Sequence, residues 1–523
     1  MPSDLLSPLS SQPMSRPLLW LTVLAVLSSF FFALGRSPLF DVDEGAFSQA
    51  TMEMFQRGDF LATYLNGEPR YDKPILVYWL QALGVIAFGP TEYAFRLPSA
   101  VCASAWALIT FLFVRRFFGG QRGLLSAVVL ATSLGVFIIG RAATADALLN
   151  VLVAASMFAA YLHLSTGRRA WLYATHAAIG LGVLAKGPIA ILVPLAVTLL
   201  FCVLRRDIRT WARAVFDWRA LLVLVAIAAP WYIAILAKEG RAFVDGFILK
   251  HNVGRFSGPV SGHAGSLFYY FPVLILLTLP FTALAVPVAM RIRRLWRDDL
   301  QAYLLIWFGF VFIFFSLSGT KLPHYILYGY TGLAILMAVH GADLKGTFWP
   351  LVPVLGFFIG LIGLPYLFTF AMDRVRDDFY AQVLAASLQH FDVVYFGFLA
   401  ILCALVAYAM IEHRTPLPRK LMVFGLASVT SLSTLVVPIA GFAQQSAIKE
   451  AAYIVRERHL PAVMWRLNAP SFSVYRGAPT PSRDPRPGDV VVTKSDRLRD
   501  LPATLPYELL YSERGIVLVR IRS

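Results

Sequence analysis

The chain has 523 residues, 58% of them hydrophobic and 15% charged, with a mean hydropathy of +0.67. Soluble globular chains carry about 25% charged residues, so this balance excludes an ordinary soluble domain and indicates a polytopic membrane protein with some extramembrane mass. The net charge of +16 does not indicate nucleic acid: the basic residues sit in short clusters between apolar runs and form no basic face with interleaved aromatics.

Thirteen apolar stretches are candidates to cross a membrane. They lie near 17–35, 95–114, 123–140, 145–164, 170–185, 187–204, 220–237, 267–290, 301–317, 323–340, 348–371, 393–411 and 420–441. The first lacks a small-x-small cleavage site and reads as a retained span rather than a signal peptide. Arg115, Arg116, Arg205, Arg206, Arg291, Arg293 and Arg294 cluster in alternate connections. The positive-inside rule puts those connections in the cytoplasm, with the N-terminus, and puts the C-terminus outside.

Directly after the first stretch comes Asp41-Val42-Asp43-Glu44-Gly45. Three carboxylates beside a bilayer are costly unless something uses or neutralises them. The segment 41–94 stays on the outer face and holds two amphipathic stretches, near 44–57 and 74–88, that suit the membrane interface. Further external polar groups follow: Asp72 and Lys73, Arg141 with Asp146, Lys186, the loop 238–266 with His251, Arg255 and His263, and Lys321 to Tyr325. Asp43 or Asp41 suits a general base toward a hydroxyl. Lys73, Arg255 and Lys321 suit neutralisation of a phosphate. His251 or His263 with Asp72 suits a divalent cation. Asp146 reads equally as a structural ion pair with Arg141.

Later, Gly356 and Gly360 form a small-x-x-x-small pattern read as helix packing. Cys102, Cys202 and Cys403 lie in apolar runs without metal or disulfide spacing, as small buried hydrophobes do. The membrane region is expected to end near 442. Residues 443–523 then read as a small external α/β domain, with a helix near 446–458 and strands near 471–475, 489–493 and 515–521.

An ordered set of motifs runs through the membrane region: Asp43-Glu44, Gly58-Asp59-Phe60, Leu65-Asn66-Gly67, Asp72-Lys73-Pro74, Arg96-Leu97-Pro98-Ser99, Ala143-Thr144-Ala145-Asp146, Lys186-Gly187-Pro188 and Ser318 to Leu327. In order and spacing it resembles the bacterial GT-C glycosyltransferases of the aminoarabinose transferase and protein O-mannosyltransferase superfamily. The resemblance implies a GT-C fold with about thirteen membrane helices, interfacial periplasmic helices and a small C-terminal α/β periplasmic domain. It implies an inner-membrane transferase that takes a sugar from undecaprenyl phosphate and passes it, with inversion, to lipid A, another glycan, a lipid or a protein. Asp43 corresponds to the catalytic carboxylate, with Glu44 and Asp146 as accompanying acids. Lys73 and Tyr325 correspond to donor-phosphate contacts, joined by Arg255 and Lys321. Asp72 and an outer-loop histidine, His251 or His263, correspond to a metal site; no nucleotide cofactor is expected. The chain departs from the pattern in Asp72 where Glu is usual, in Gly45-Ala46 where Arg follows the acidic pair, and in His324 where Thr is common. A secondary transporter or lipid-sugar flippase is the rival class; it would need midplane polar groups and a two-fold repeat.

Overall fold

The computed structural model describes residues 15–254, 265–372, 374–375 and 378–522; of His251 to Val253 and Asp378 only the backbone is described. Each of the thirteen apolar stretches holds helix. By length and composition, seven helices among the described residues can cross a membrane, or up to nine when two bent pairs each count as one span. Nine at most of the thirteen stretches pass that test among the described residues; Arg16–Phe30 and Ile189–Leu204 are apolar but short, and two of the nine are broken. Gly120–Thr132 and Leu134–Arg141 meet at 66°, and Tyr270–Leu277 and Thr282–Met290 at 113°. Pro280 accounts for the second break, since it brings no N–H to continue the ladder. At the first, Leu134 turns its N–H to the Leu279 carbonyl instead, so the two breaks support each other. A Cβ added at Gly356 or Gly360 would meet nothing, so the small-residue pattern there packs no helix in this chain. Cys202 is buried, and Cys102 and Cys403 are half-buried.

The two amphipathic stretches are helices Asp43–Arg57 and Leu76–Phe88. Gly58 ends the first in the left-handed conformation, which a glycine adopts without a Cβ penalty. A tight hairpin, Tyr64–Leu65 against Glu68–Pro69, connects them. The buried Glu53 carboxylate accepts from the backbone N–H of Asn66 and Gly67 and so fixes the hairpin turn.

No linker marks residue 442. A continuous helical run, Leu417–Glu457, carries the chain into the C-terminal region. There a four-stranded sheet forms in the order Ala462–Met464, Val490–Lys494, Ile516–Ile521, Tyr507–Glu513, with the first pair parallel and the others antiparallel. Two expected strands are observed. The third, 471–475, is instead helix Pro470–Arg476. Pro470 sits where the missing N–H costs nothing, and Gly477 closes the helix at φ 82°. Its aromatic and β-branched residues are buried, and that packing overrides their strand preference.

This short helix lies against Asp43–Arg57. Ser473 Oγ donates to Asn66 Oδ1 at 2.7 Å, and Gln56 donates to the Gly477 carbonyl at 3.2 Å. Tyr475 Oη accepts from Leu39 N–H at 2.7 Å. The sheet region is thus docked onto the segment that follows the first helix.

Candidate functional site

A cavity of about 710 Å³ opens where the ends of several helices converge. Asp41, Asp43, Arg141, Asp146 and His324 line it, with Ile138, Leu277, Leu327 and Val436 as apolar wall. Three of these polar groups, Asp43, Arg141 and Asp146, sit at helix termini. Asp43 and Asp146 are the first residues of helices Asp43–Arg57 and Asp146–Thr166, where the macrodipole favours a carboxylate. Lys186 is the last residue of helix Arg169–Lys186, where it favours a cation.

Asp43 is exposed to the cavity and makes no ion pair with another described residue. Glu44 next to it is buried and fully engaged. Its Oε1 accepts from Arg96 Nε at 2.8 Å and Ala143 N at 2.7 Å, and its Oε2 from Phe40 N at 2.8 Å and an Arg96 terminal nitrogen at 2.6 Å. Arg96 also donates to the carbonyls of Leu34, Ser37 and Pro38. Glu44 therefore has no lone pair left for substrate and holds the turn that presents Asp43.

Asp41 lies on the cavity wall but is clasped from the C-terminal region. Its carboxylate accepts from Ser471 N–H at 2.9 Å and from the Ser471 hydroxyl. Burial pushes its carboxyl up to about 7, against the lowering effect of those two donors. Gly45 is needed for this fit: a Cβ there would overlap the Asp41 carboxylate and stand 2.5 Å from Ser471 N. The departure at Gly45 from the related pattern thus has a steric cause.

Asp146 pairs with Lys186, not with Arg141. Tyr328 Oη donates to Asp146 Oδ1 at 3.2 Å, Thr144 Oγ1 to Oδ2 at 3.2 Å, and His324 Nε2 lies 3.5 Å from Oδ1. Lys186 also donates to Tyr328 Oη at 2.7 Å. Lys73 is close enough to interact electrostatically with both Asp146 and His324, and its Nζ donates to the Asp72 carbonyl at 3.0 Å. Tyr325 is buried beside this group, its ring 4.8 Å from Phe315 and 4.9 Å from His324.

Two sequence assignments are placed elsewhere. Lys321 is buried, and its Nζ donates to the carbonyls of Ser316 at 2.8 Å and Ser318 at 2.7 Å, capping helix Asp299–Leu317. The Asp72 carboxylate pairs with Arg70 at 3.1 Å, and no cluster of three metal-ligating side chains occurs among the described residues. Arg255, His263 and the His251 side chain lie outside the described residues. Sequence reasoning gave no role to Arg96, Tyr328 or Ser471. Arg96, a charge near the start of an apolar helix, carries a signal that could have found it; Ser471 carries none.

The helical membrane region, the cavity at the helix ends and the appended sheet are the GT-C architecture. The structure superposes on ArnT from Cupriavidus metallidurans, a structure bound to undecaprenyl phosphate, with a TM-score of 0.78 over 97% of this chain and 98% of that one, at 20% identity. Parts of the sequence are similar to aminoarabinose transferases and protein mannosyltransferases. Residues 72–233 match the family of dolichyl-phosphate-mannose-protein mannosyltransferases. The undecaprenyl phosphate-α-4-amino-4-deoxy-L-arabinose arabinosyl transferase of Aeromonas hydrophila is 31% identical over 334 residues, 62% of this chain and 60% of that one. An uncharacterised protein of Aquifex aeolicus is 29% identical over 352 residues, 65% of this chain and 79% of its own. The match thus spans about 60% of the length of the curated arabinosyl transferase.

Proposed function

We propose that this protein is an inner-membrane glycosyltransferase that moves a sugar from undecaprenyl phosphate to an envelope acceptor such as lipid A, on the periplasmic face, with inversion. The observation that carries the reading is the state of Asp43. It is the one acid of the opening cluster that faces the cavity free of a clasp or ion pair among the described residues, and it shares that cavity with Asp146, the partner of Lys186. The motif-level kinship and the undecaprenyl phosphate bound to the similar fold support the donor class.

The chemistry asks little of the protein. Asp43 takes the proton from the acceptor hydroxyl, the acceptor oxygen attacks the anomeric carbon from the face opposite the phosphate, and the bond from that carbon to the phosphate oxygen breaks. The polyprenyl phosphate leaves with the electron pair, and Lys73 neutralises the charge it gains. Lys186 with Tyr328 holds Asp146 in the cavity wall, Tyr325 packs beside this group, and the apolar wall takes the start of the prenyl chain. Lys321 serves the helix end and not the phosphate.

The test is transfer from a radiolabelled undecaprenyl-phosphate sugar by purified protein. Asp43→Asn should lower the rate by about 10²–10⁴-fold with folding intact. Near wild-type transfer by that variant would remove Asp43 as base. Export of intact lipid-linked sugar without release of undecaprenyl phosphate would instead favour a flippase.

A further inference from the structure

Among the described residues three cations besides Lys73 lie in or against the cavity, and two of them are spoken for. Arg96 is consumed by Glu44 and three carbonyls, and Lys186 by Asp146 and Tyr328. Arg141 is different. It ends helix Leu134–Arg141, is only 7% exposed, and lines the cavity. One terminal nitrogen donates to the Ser29 carbonyl at 3.0 Å, and the guanidinium sits 5.1 Å from the Phe137 ring centre. Among the described residues no carboxylate lies within ion-pair distance, and its remaining nitrogens are not among the sealed, unsatisfied atoms. Because Arg141 lines the cavity, the cavity is the space these nitrogens can reach.

A helix terminus and one carbonyl favour a cation at this position, but they do not use its fork. A guanidinium has five donors in a fixed plane suited to two oxygens of one anion. A buried charge without a counter-charge is costly, and the chain has supplied counter-charges to Arg96 and Lys186 but not here. The wall beside it, Ile138, Leu277, Leu327 and Val436, is apolar. The vacant partner is therefore an anion whose remaining parts tolerate an apolar lining.

We propose that Arg141 is a phosphate-binding residue of the cavity, separate from the Lys73 side, that takes the phosphate ester of a substrate. This rests on the glycosyltransferase reading for the choice of phosphate over other anions. The phosphate has two possible bearers, the lipid carrier and a phosphorylated acceptor, and the chemistry at Arg141 is the same for both.

The experiment measures binding by the purified full-length chain in detergent, without transfer, for wild type, Arg141→Gln and Arg141→Lys. The probes are undecaprenyl phosphate and glucosamine 1-phosphate. Glutamine can still serve the Ser29 carbonyl, and thermal melts confirm that each variant is folded. Loss of about 10- to 100-fold in affinity for undecaprenyl phosphate in Arg141→Gln, partly restored in Arg141→Lys, assigns the site to the lipid carrier. Unchanged carrier binding with loss of glucosamine 1-phosphate binding assigns it to the acceptor. Equal binding of both probes by folded Arg141→Gln and wild type overturns the proposal, as does a wild type that binds neither. Phosphate binding that depends on Arg141 in a protein that transfers no sugar would sink the transferase reading and leave this site standing.

Discussion

Replacing Arg96 by Met tests the support beneath Asp43. The side chain keeps an unbranched apolar stem and loses its guanidinium and charge. Five hydrogen bonds go: two to Glu44, and one each to the carbonyls of Leu34, Ser37 and Pro38. Glu44 would keep only the N–H groups of Phe40 and Ala143 while remaining buried. Breaking a buried pair by removing one partner costs about 3–5 kcal/mol. The three orphaned carbonyls add to that only in so far as water cannot reach them. The loss should appear as a lower melting temperature in detergent, with transfer falling in parallel because residues 34–44 carry Asp43. Arg96→Met combined with Glu44→Gln should be less destabilised than Arg96→Met alone, by about 1–3 kcal/mol, since the orphaned charge is gone. An Arg96→Met protein that melts and transfers like wild type would refute the view that this pair holds the turn. Strict additivity of the two substitutions would refute the coupling.

Lys186→Met leaves Asp146 buried beside His324 without its ammonium partner, and should cost about 3–5 kcal/mol in a thermal or denaturant melt. Gly45→Ala should separate Asp41 from Ser471; transfer should fall more than in Ala46→Gly, measured on equal amounts of folded protein. Ser471→Ala removes one of two donors to Asp41 and should lower turnover with little change in the donor KM, while Ser471→Thr restores the hydroxyl and the rate. The pH dependence of stability follows from Asp41. Unfolded, its carboxyl releases its proton near 3.8; folded, it holds it up to about 7. Between those values the folded state binds more protons, so stability declines as pH rises through that window and levels off above it. Asp41→Asn should flatten that decline in melts taken from pH 4 to 8, and an unchanged slope would show that Asp41 does not titrate there.

Much of the membrane region was legible because apolar length is a local property. Every apolar stretch became helix, and the amphipathic periodicity near 44–57 and 74–88 located the two helices that flank the hairpin. The break near 133 was not legible, because it depends on a hydrogen bond between Leu134 and Leu279 that nothing local announces, whereas Pro280 marks the break near 278–281. The same limit explains the acids. Asp41, Asp43 and Glu44 look alike in sequence, and their states are set by Ser471 and Arg96, which are distant along the chain. Asp146 lies near Arg141 in sequence, but its position at a helix N-terminus turns it toward Lys186 from another helix. Residues 471–475 read as strand by composition, and only burial against helix Asp43–Arg57 makes them helical.

The clasp between Asp41 and Ser471 joins residues 430 apart. During synthesis the first helix is made at the start, yet the group that holds the acidic turn emerges near the end. At about 5–20 residues per second the turn waits roughly 20–90 s for its partner. A chain interrupted before residue 471 keeps the Glu44–Arg96 pair but leaves Asp41 unheld. Completion of the cavity wall is thereby tied to delivery of the final segment to the same face as the acidic turn.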